Sequence, residues 1–156
     1  MNEHKFRFFY LMLFVVIIGG VIFGVYFQNT TQNLHSCKSK LMLRHGQFYL
    51  NAQFNFSFLN DRGFVTFSGE VTENNKKLIV DREIPFIYKK EGGSLMMTNT
   101  QIHFFSNDRG TESNLRNHMP DFFTRTNGEI SLTIAYDEYK TPVLLIADTP
   151  LFYCQK

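Results

Sequence analysis

Tryptophan is missing from this chain of 156 residues, cysteine occurs only twice, and neither sign of charge is in excess, the formal net charge being +2. Each shortage excludes something. Without a basic surplus there is no electrostatic footprint for DNA or RNA, whose phosphates demand one. The two cysteines and the histidines His4, His35, His45, His103 and His118 are scattered, with no pair at zinc-ligand spacing, so no metal site is expected. A G-x-S-x-G elbow, a P-loop and a dinucleotide fingerprint are also lacking. The closest acidic pairs, Asp137-Glu138 and Asp81/Glu83, read as a hairpin turn and an exposed strand face, because no apolar pocket is implied that would set their acidities apart. No catalytic residue and no cofactor is therefore expected, and the chain does not read as an enzyme. No unit of about 20–50 residues recurs. The doubled NDRG, at Asn60–Gly63 and Asn107–Gly110, has unmatched flanks and reads as turn chemistry.

What is present begins with Phe8–Phe27, a run of twenty uncharged and mostly apolar residues. At about 1.5 Å of rise per residue, a helix of this length covers roughly the 30 Å hydrocarbon core of a bilayer. Lys5 and Arg7 precede the run, and no lysine or arginine follows it until Lys38. That asymmetry places residues 1–7 in the cytoplasm and the rest of the chain outside it. The alternative is a cleaved signal peptide, whose apolar region is shorter, about 7–15 residues, and ends at small residues that GVYFQNTTQ does not offer. Gly20 and Gly24 form a GxxxG inside the run, which lets a second helix approach closely, although glycine is common in membrane helices in any case.

Residues 28–36 are polar and suit a tether, and residues 37–156 form one domain bracketed by Cys37 and Cys154. Outside the cytoplasm, two thiols at the ends of one domain are expected to join as a disulfide, the alternative being two unpaired structural thiols.

Eighteen phenylalanines are concentrated in that domain and in the apolar run, and their spacing carries the fold. In FYLNAQFNFSF, Phe48–Phe58, the residues Phe48, Leu50, Ala52, Phe54, Phe56 and Phe58 share one face of a strand, while asparagine, glutamine and serine largely fill the other. Further strands are expected at Lys38–Arg44, Phe64–Thr72, Leu78–Lys89, Leu95–Phe105, Ile130–Tyr136, Val143–Ala147 and Leu151–Cys154, with turns at Asn60–Gly63, Glu73–Lys77 and Gly92–Gly93, and turns containing Pro142 and Pro150. Gly69 marks a bulge or a close backbone approach, Pro85 argues for an edge or a bulge, and Arg82 interrupts an otherwise apolar face. One short helix is expected within Thr111–Met119. Together these features predict a mainly β domain, an antiparallel barrel or sandwich of about seven or eight strands, lipocalin-like in plan.

The phenylalanine face then has three readings. It is the core of a small barrel, or Phe54, Phe56, Phe58 and Phe67 line a cavity for an apolar ligand, or the domain lays this face or a strand edge against a partner. His103 and His118 are the candidates for sensing pH, since histidine changes charge near neutrality.

The basic N-terminus, single apolar span, following cysteine, F-N-F-S-F run, F-S-G-E-V-T with its N-N-K-K turn, Arg82 with Pro85–Tyr88, Met119-Pro120-Asp121 and the terminal Phe152-Tyr153-Cys154 resemble the FidL-like inner-membrane proteins. More distantly the plan is similar to ToxS-type partners of ToxR-like transcription activators and to the small partners of the Psa and Myf fimbrial activators. The resemblance implies a single-pass protein of a bacterial inner membrane, with its β domain in the periplasm. It further implies an accessory and sensory protein that binds the periplasmic domain of a single-span winged-helix activator, stabilises it and promotes its active assembly. An envelope signal, pH or a bile-like ligand, would feed into that assembly. A stand-alone binder of an apolar ligand is the alternative. The resemblance carries over no catalytic residue and implies no direct contact with nucleic acid.

Overall fold

The computed structural model describes Phe14, residues 16–20 and residues 34–155. Phe14 and residues 16–20 are helical, with Phe14, Val16, Ile17 and Ile18 exposed. Most of the expected span Phe8–Phe27, including Gly24, lies outside the described residues; among these, no helix is long and apolar enough to cross a membrane. The chain divides into two compact units at Asn33/Leu34.

In the second unit, strict alternation builds four long strands: β1 Ser36–His45, β2 Phe48–Leu59, β3 Arg62–Glu73 and β4 Lys76–Glu91. Along β2 every even-numbered residue from Phe48 to Phe58 is buried. Two-residue turns join the four strands, and Asn74 and Asn75 both take positive φ between β3 and β4. Asparagine tolerates that region, and the resulting hairpin twist matches that of the strands. Registers run unbroken from β1 through β3 to β4. Gly69 accordingly sits in ladder between Ala52 and Val80 with no bulge. A Cβ there would collide with the Asn51 carbonyl and the Ala52 backbone, so glycine permits the close approach of β2 and β3.

The remaining strands are shorter: β5 Ser94–Asn99, β6 His103–Phe104, β7 Glu129–Tyr136, β8 Pro142–Ile146 and β9 Thr149–Tyr153. Their order around the sheet is β1-β2-β3-β4-β5-β7-β8-β9, all neighbours antiparallel, with β6 paired to β4 beside that path. The seam between first and last strands is drawn together by the Gln155 amide, which donates to the Lys38 carbonyl at 2.7 Å, and by the Cys37–Cys154 disulfide. The expected bridge is therefore present, and of barrel and sandwich the chain adopts a nearly closed barrel.

Several local expectations are corrected. Leu95–Phe105 is two strands, because buried Asn99 ends β5 and the chain then crosses to pair with β4 as β6. Pro85 lies on an interior strand, where β4 changes partner from β6 to β5, and its carbonyl accepts from the Thr100 amide at 3.0 Å. Proline is tolerated there because the ladder on that side is already interrupted. Pro142 and Pro150 belong to β8 and β9, not to turns; the turn between those strands is Ala147–Asp148, both at positive φ. Pro150 faces Leu145 beside a register shift between Leu144 and Leu145, where an unpaired position accommodates a residue without an N–H. The helix expected before Pro120 is instead two 3-10 turns, Gly110–Glu112 and Asn114–Asn117, and a short α-helical turn, Asp121–Thr124, follows the proline.

Candidate functional site

The barrel interior is the first candidate. Phe54, Phe56, Phe58 and Phe67 are all buried, and the rings fill one another's gaps. Phe54 stacks on Phe67 at 4.5 Å between centroids and meets Phe152 at 5.0 Å and Phe123 at 5.3 Å. Phe56 also contacts Phe152, and Phe58 contacts Phe86 and Tyr88. Such offset and edge-on pairs contribute about 0.5–1.5 kcal/mol each beyond the area they bury.

Phe122 and Phe123 come from outside the sheet. The segment from Thr100 to Gly128 leaves β5, lies along β4 and closes one end of the barrel, and two buried polar groups hold it. Arg82, on the inward face of β4, is 2% exposed and pairs with Asp108, whose side chain is 1% exposed. Arg82 Nε donates to Asp108 Oδ2 at 3.0 Å and Nη2 to Oδ1 at 3.0 Å, while Nη1 donates to the Phe123 carbonyl at 3.2 Å. The Asp108 carboxylate also accepts from the backbone amides of Asp81 and Gly110. Phe67 and Phe104 lie over the guanidinium at 5.6 and 4.9 Å. A planar fork with fixed donors suits this bidentate, stacked arrangement, which a lysine could not reproduce. Gly110 is required beside it, since a Cβ would come within 2.5 Å of Arg82 Nη2.

Asn99 supplies the second hold, its side-chain amide donating to the carbonyls of Phe122 and Arg125 at 2.6 Å each. Further out, the Glu73 carboxylate accepts from the Asn114 side chain at 2.7 Å and its backbone amide at 3.1 Å. Those two hydrogen bonds, the side-chain one first, lower the Glu73 pKa below its ordinary value. At the other end, burial and then the charge of Asp61 raise the Tyr88 pKa above its ordinary value.

The two candidate histidines are not brought together as a pair. His103 is exposed on β6 opposite Glu83. His118 instead stacks on Phe48 at 4.0 Å and meets the edge of His45 at 5.2 Å. Gly20 lies in the described helical residues of the first unit, with open space around it. Asp137 accepts from the amides of Tyr139 and Thr141, as a turn residue does. Asp81 accepts from Ser68 Oγ at 2.9 Å across the β3–β4 pair.

Clefts open on the surface of the described residues. One, of about 320 Å³, is lined by Arg82, Ser113, Asn114, Arg116, Asn117 and Thr124 among others. The second, of about 600 Å³, is lined by residues including Arg44, Gln47, Tyr49, Thr72, Asn74 and Asn75. Both offer amides, hydroxyls and arginine, which hydrogen-bond polar groups. Among the described residues no group of three His, Cys, Asp or Glu could hold a metal ion.

Sequence reasoning saw Arg82 as an interruption and missed what it does. An arginine at an inward position of an alternating strand does signal a buried partner, because a lone buried charge is prohibitively costly. Nothing in the spacing identifies that partner as Asp108. The exposed pair Phe104, in the two-residue β6, and Phe105, just after it, each 49% exposed, is likewise not legible in the strand expected at Leu95–Phe105.

The fold and its fittings define a class: a disulfide-closed, phenylalanine-filled antiparallel barrel, with one end sealed by a loop anchored on a buried arginine. Residues 34–154 match the family model of the YqeJ C-terminal domain, and the chain belongs to that family. No curated protein matches the chain, and no solved structure does.

Proposed function

We propose that this protein is a membrane-anchored accessory and sensory partner of a single-span, ToxR-like winged-helix activator. Its barrel lies outside the cytoplasm, and it stabilises the activator and promotes its active assembly. The resemblance to FidL-like and ToxS-type proteins supplies the class. The observation that carries it beyond the stand-alone lipocalin-like binder is where apolar surface is spent. Phe54, Phe56, Phe58 and Phe67 are consumed in mutual packing, whereas Phe104 in β6 and Phe105 after it stand half exposed. Among the described residues β6 pairs only with β4, which leaves a short aromatic edge of the kind that accepts a strand from another chain. A signal, pH or a bile-like ligand, that favours the assembled state would shift its population.

The test is co-purification of the full chain from membranes with a single-span protein carrying a cytoplasmic winged helix. Recovery of that protein, reduced at least tenfold by Phe105→Asp while the Cys37–Cys154 bridge still forms, is the expected result. Recovery of a monomer that retains bile salts or lipids and captures no activator would favour the stand-alone binder instead.

A further inference from the structure

The two ends of the barrel differ in what they show to their surroundings. One end gathers the turns at Asn60–Asp61, Gly92–Gly93 and 137–141, the chain's entry at Leu34–His35 and the last residues of β9. The His35 carbonyl is tied there by the Phe58 amide at 2.9 Å. On this rim Leu59 is 67% exposed, Tyr139 74% and Tyr153 58%, with Tyr136 beside them. Among the described residues of its turns the charges balance, with Arg62, Lys89, Lys90 and Lys140 against Asp61, Glu91, Asp137 and Glu138. At the opposite end the turns present Gly46, Gln47, Asn74, Asn75, Ala147 and Asp148.

Chain length limits which end meets a bilayer. On the reading of Phe8–Phe27 as membrane-spanning, from which this inference follows, Phe27 and Leu34 are seven residues apart. Fully extended, seven residues reach at most about 25 Å, and part of that is spent crossing the headgroups. The entry end of the barrel is therefore tethered next to the membrane. That end exposes Leu59, Tyr136, Tyr139 and Tyr153, against Tyr49 alone among the exposed tyrosines at the other, and tyrosine favours the membrane–water interface.

We propose that the rim formed by Leu59, Tyr139 and Tyr153 docks on the lipid surface, with these side chains in the headgroup region of the leaflet facing the barrel. The partner is the bilayer itself, and zwitterionic lipid suffices because the rim has no net charge to satisfy. Docking sets the barrel upright, with the sealed end and its 100–128 segment pointing away from the membrane.

The absence of tryptophan makes this directly measurable. The full chain is reconstituted in phosphatidylcholine vesicles as single variants Leu59→Trp, Tyr139→Trp and, for the far end, Gln47→Trp, with and without lipid brominated near the headgroup. Leu59→Trp and Tyr139→Trp are expected to be quenched roughly twofold or more beyond Gln47→Trp, as interfacial residues would be. Raising the salt concentration leaves that difference in place, since screening acts only on charge. If carbonate washing retains the chain in the vesicles but all three variants are quenched alike, lipid docking is overturned while the anchor stands. A rim fluorophore that is blue-shifted yet untouched by brominated lipid means that a second copy covers the rim, which also overturns the proposal. Release of the chain by carbonate removes the anchor reading, and the docking with it. Each substituted side chain is exposed, and formation of the disulfide in every variant verifies the fold.

Discussion

Between Ser36 and Glu91 the chain runs as four long strands joined by two-residue turns, each inward residue backed by another on the next strand. Between Asn99 and Gly128 it makes one two-residue strand, two 3-10 turns and a single α-helical turn. Both regions bury phenylalanine, yet they are held differently. In the first, many equivalent backbone and aromatic contacts share the task of holding the sheet. In the second, a few buried polar groups carry the segment, Asp108 and Asn99 together with Arg82 reaching in from β4, and each has specific partners that water cannot replace. A regular sheet is therefore tolerant of loss, and an irregular segment concentrates its stability in named residues.

The largest expected effect tests the frame common to both regions. The disulfide spans 117 residues, and replacing both Cys37 and Cys154 by serine should cost about 4–5 kcal/mol in the loop-entropy account, measured by urea unfolding. A loss below about 1 kcal/mol would mean that the seam is held without it.

Next, Asp108→Ala strands the buried guanidinium of Arg82 and should cost about 3–5 kcal/mol. The paired variant Arg82→Met with Asp108→Leu should cost distinctly less, because no uncompensated charge is left. If the pair is as damaging as the single change, the clamp is more than a charge problem, and the stacking of Phe67 and Phe104 on the guanidinium has to be weighed. Hydrogen exchange should localise the damage to residues 100–128, sparing β1–β3; uniform loss of protection would abolish the distinction between the two regions.

Asn99→Ala leaves the carbonyls of Phe122 and Arg125 without their buried donor and should cost about 1–3 kcal/mol. By contrast Lys77→Ala, which removes the exposed 3.0 Å ion pair with Glu70 in the regular region, should change stability by less than about 1 kcal/mol. A larger value would show that surface charge matters more in the sheet than its geometry implies.

The smallest expected effect concerns pH. Asn114 holds Glu73 below its ordinary value, so the unfolded chain takes up the proton first. The contribution is therefore present above the ordinary carboxylate range and is lost as pH falls through the folded-state value. Following the Glu73 carboxyl by NMR, Asn114→Ala should raise its midpoint toward the ordinary value; an unchanged midpoint would mean that this contact does not form in solution.

The legibility of the chain follows the same division. Period-two alternation at Phe48–Phe58, and turn residues such as Asn60 and Gly92–Gly93, are local signals, and the structure follows them closely. The bridge between Cys37 and Cys154 was also readable, because only two cysteines exist and they bracket the domain. Asn99 shows where reading fails. It continues the alternation of Leu95 and Met97, and only its contacts with Phe122 and Arg125 reveal that the strand ends there. His118 is similar: its neighbours Phe48 and His45 belong to β2 and β1, far away in sequence.

By itself, then, the sequence determined the strand periods, most of the turns, the inward faces and the cysteine pair, since these depend on steric preferences within a few residues or on simple arithmetic. Tertiary structure alone decided that the sheet closes as a barrel, that β5 and β6 separate, and that Arg82 reaches Asp108. Those outcomes depend on which distant groups arrive together in a space from which water is excluded, and there a charge or an amide without its partner is too costly to keep.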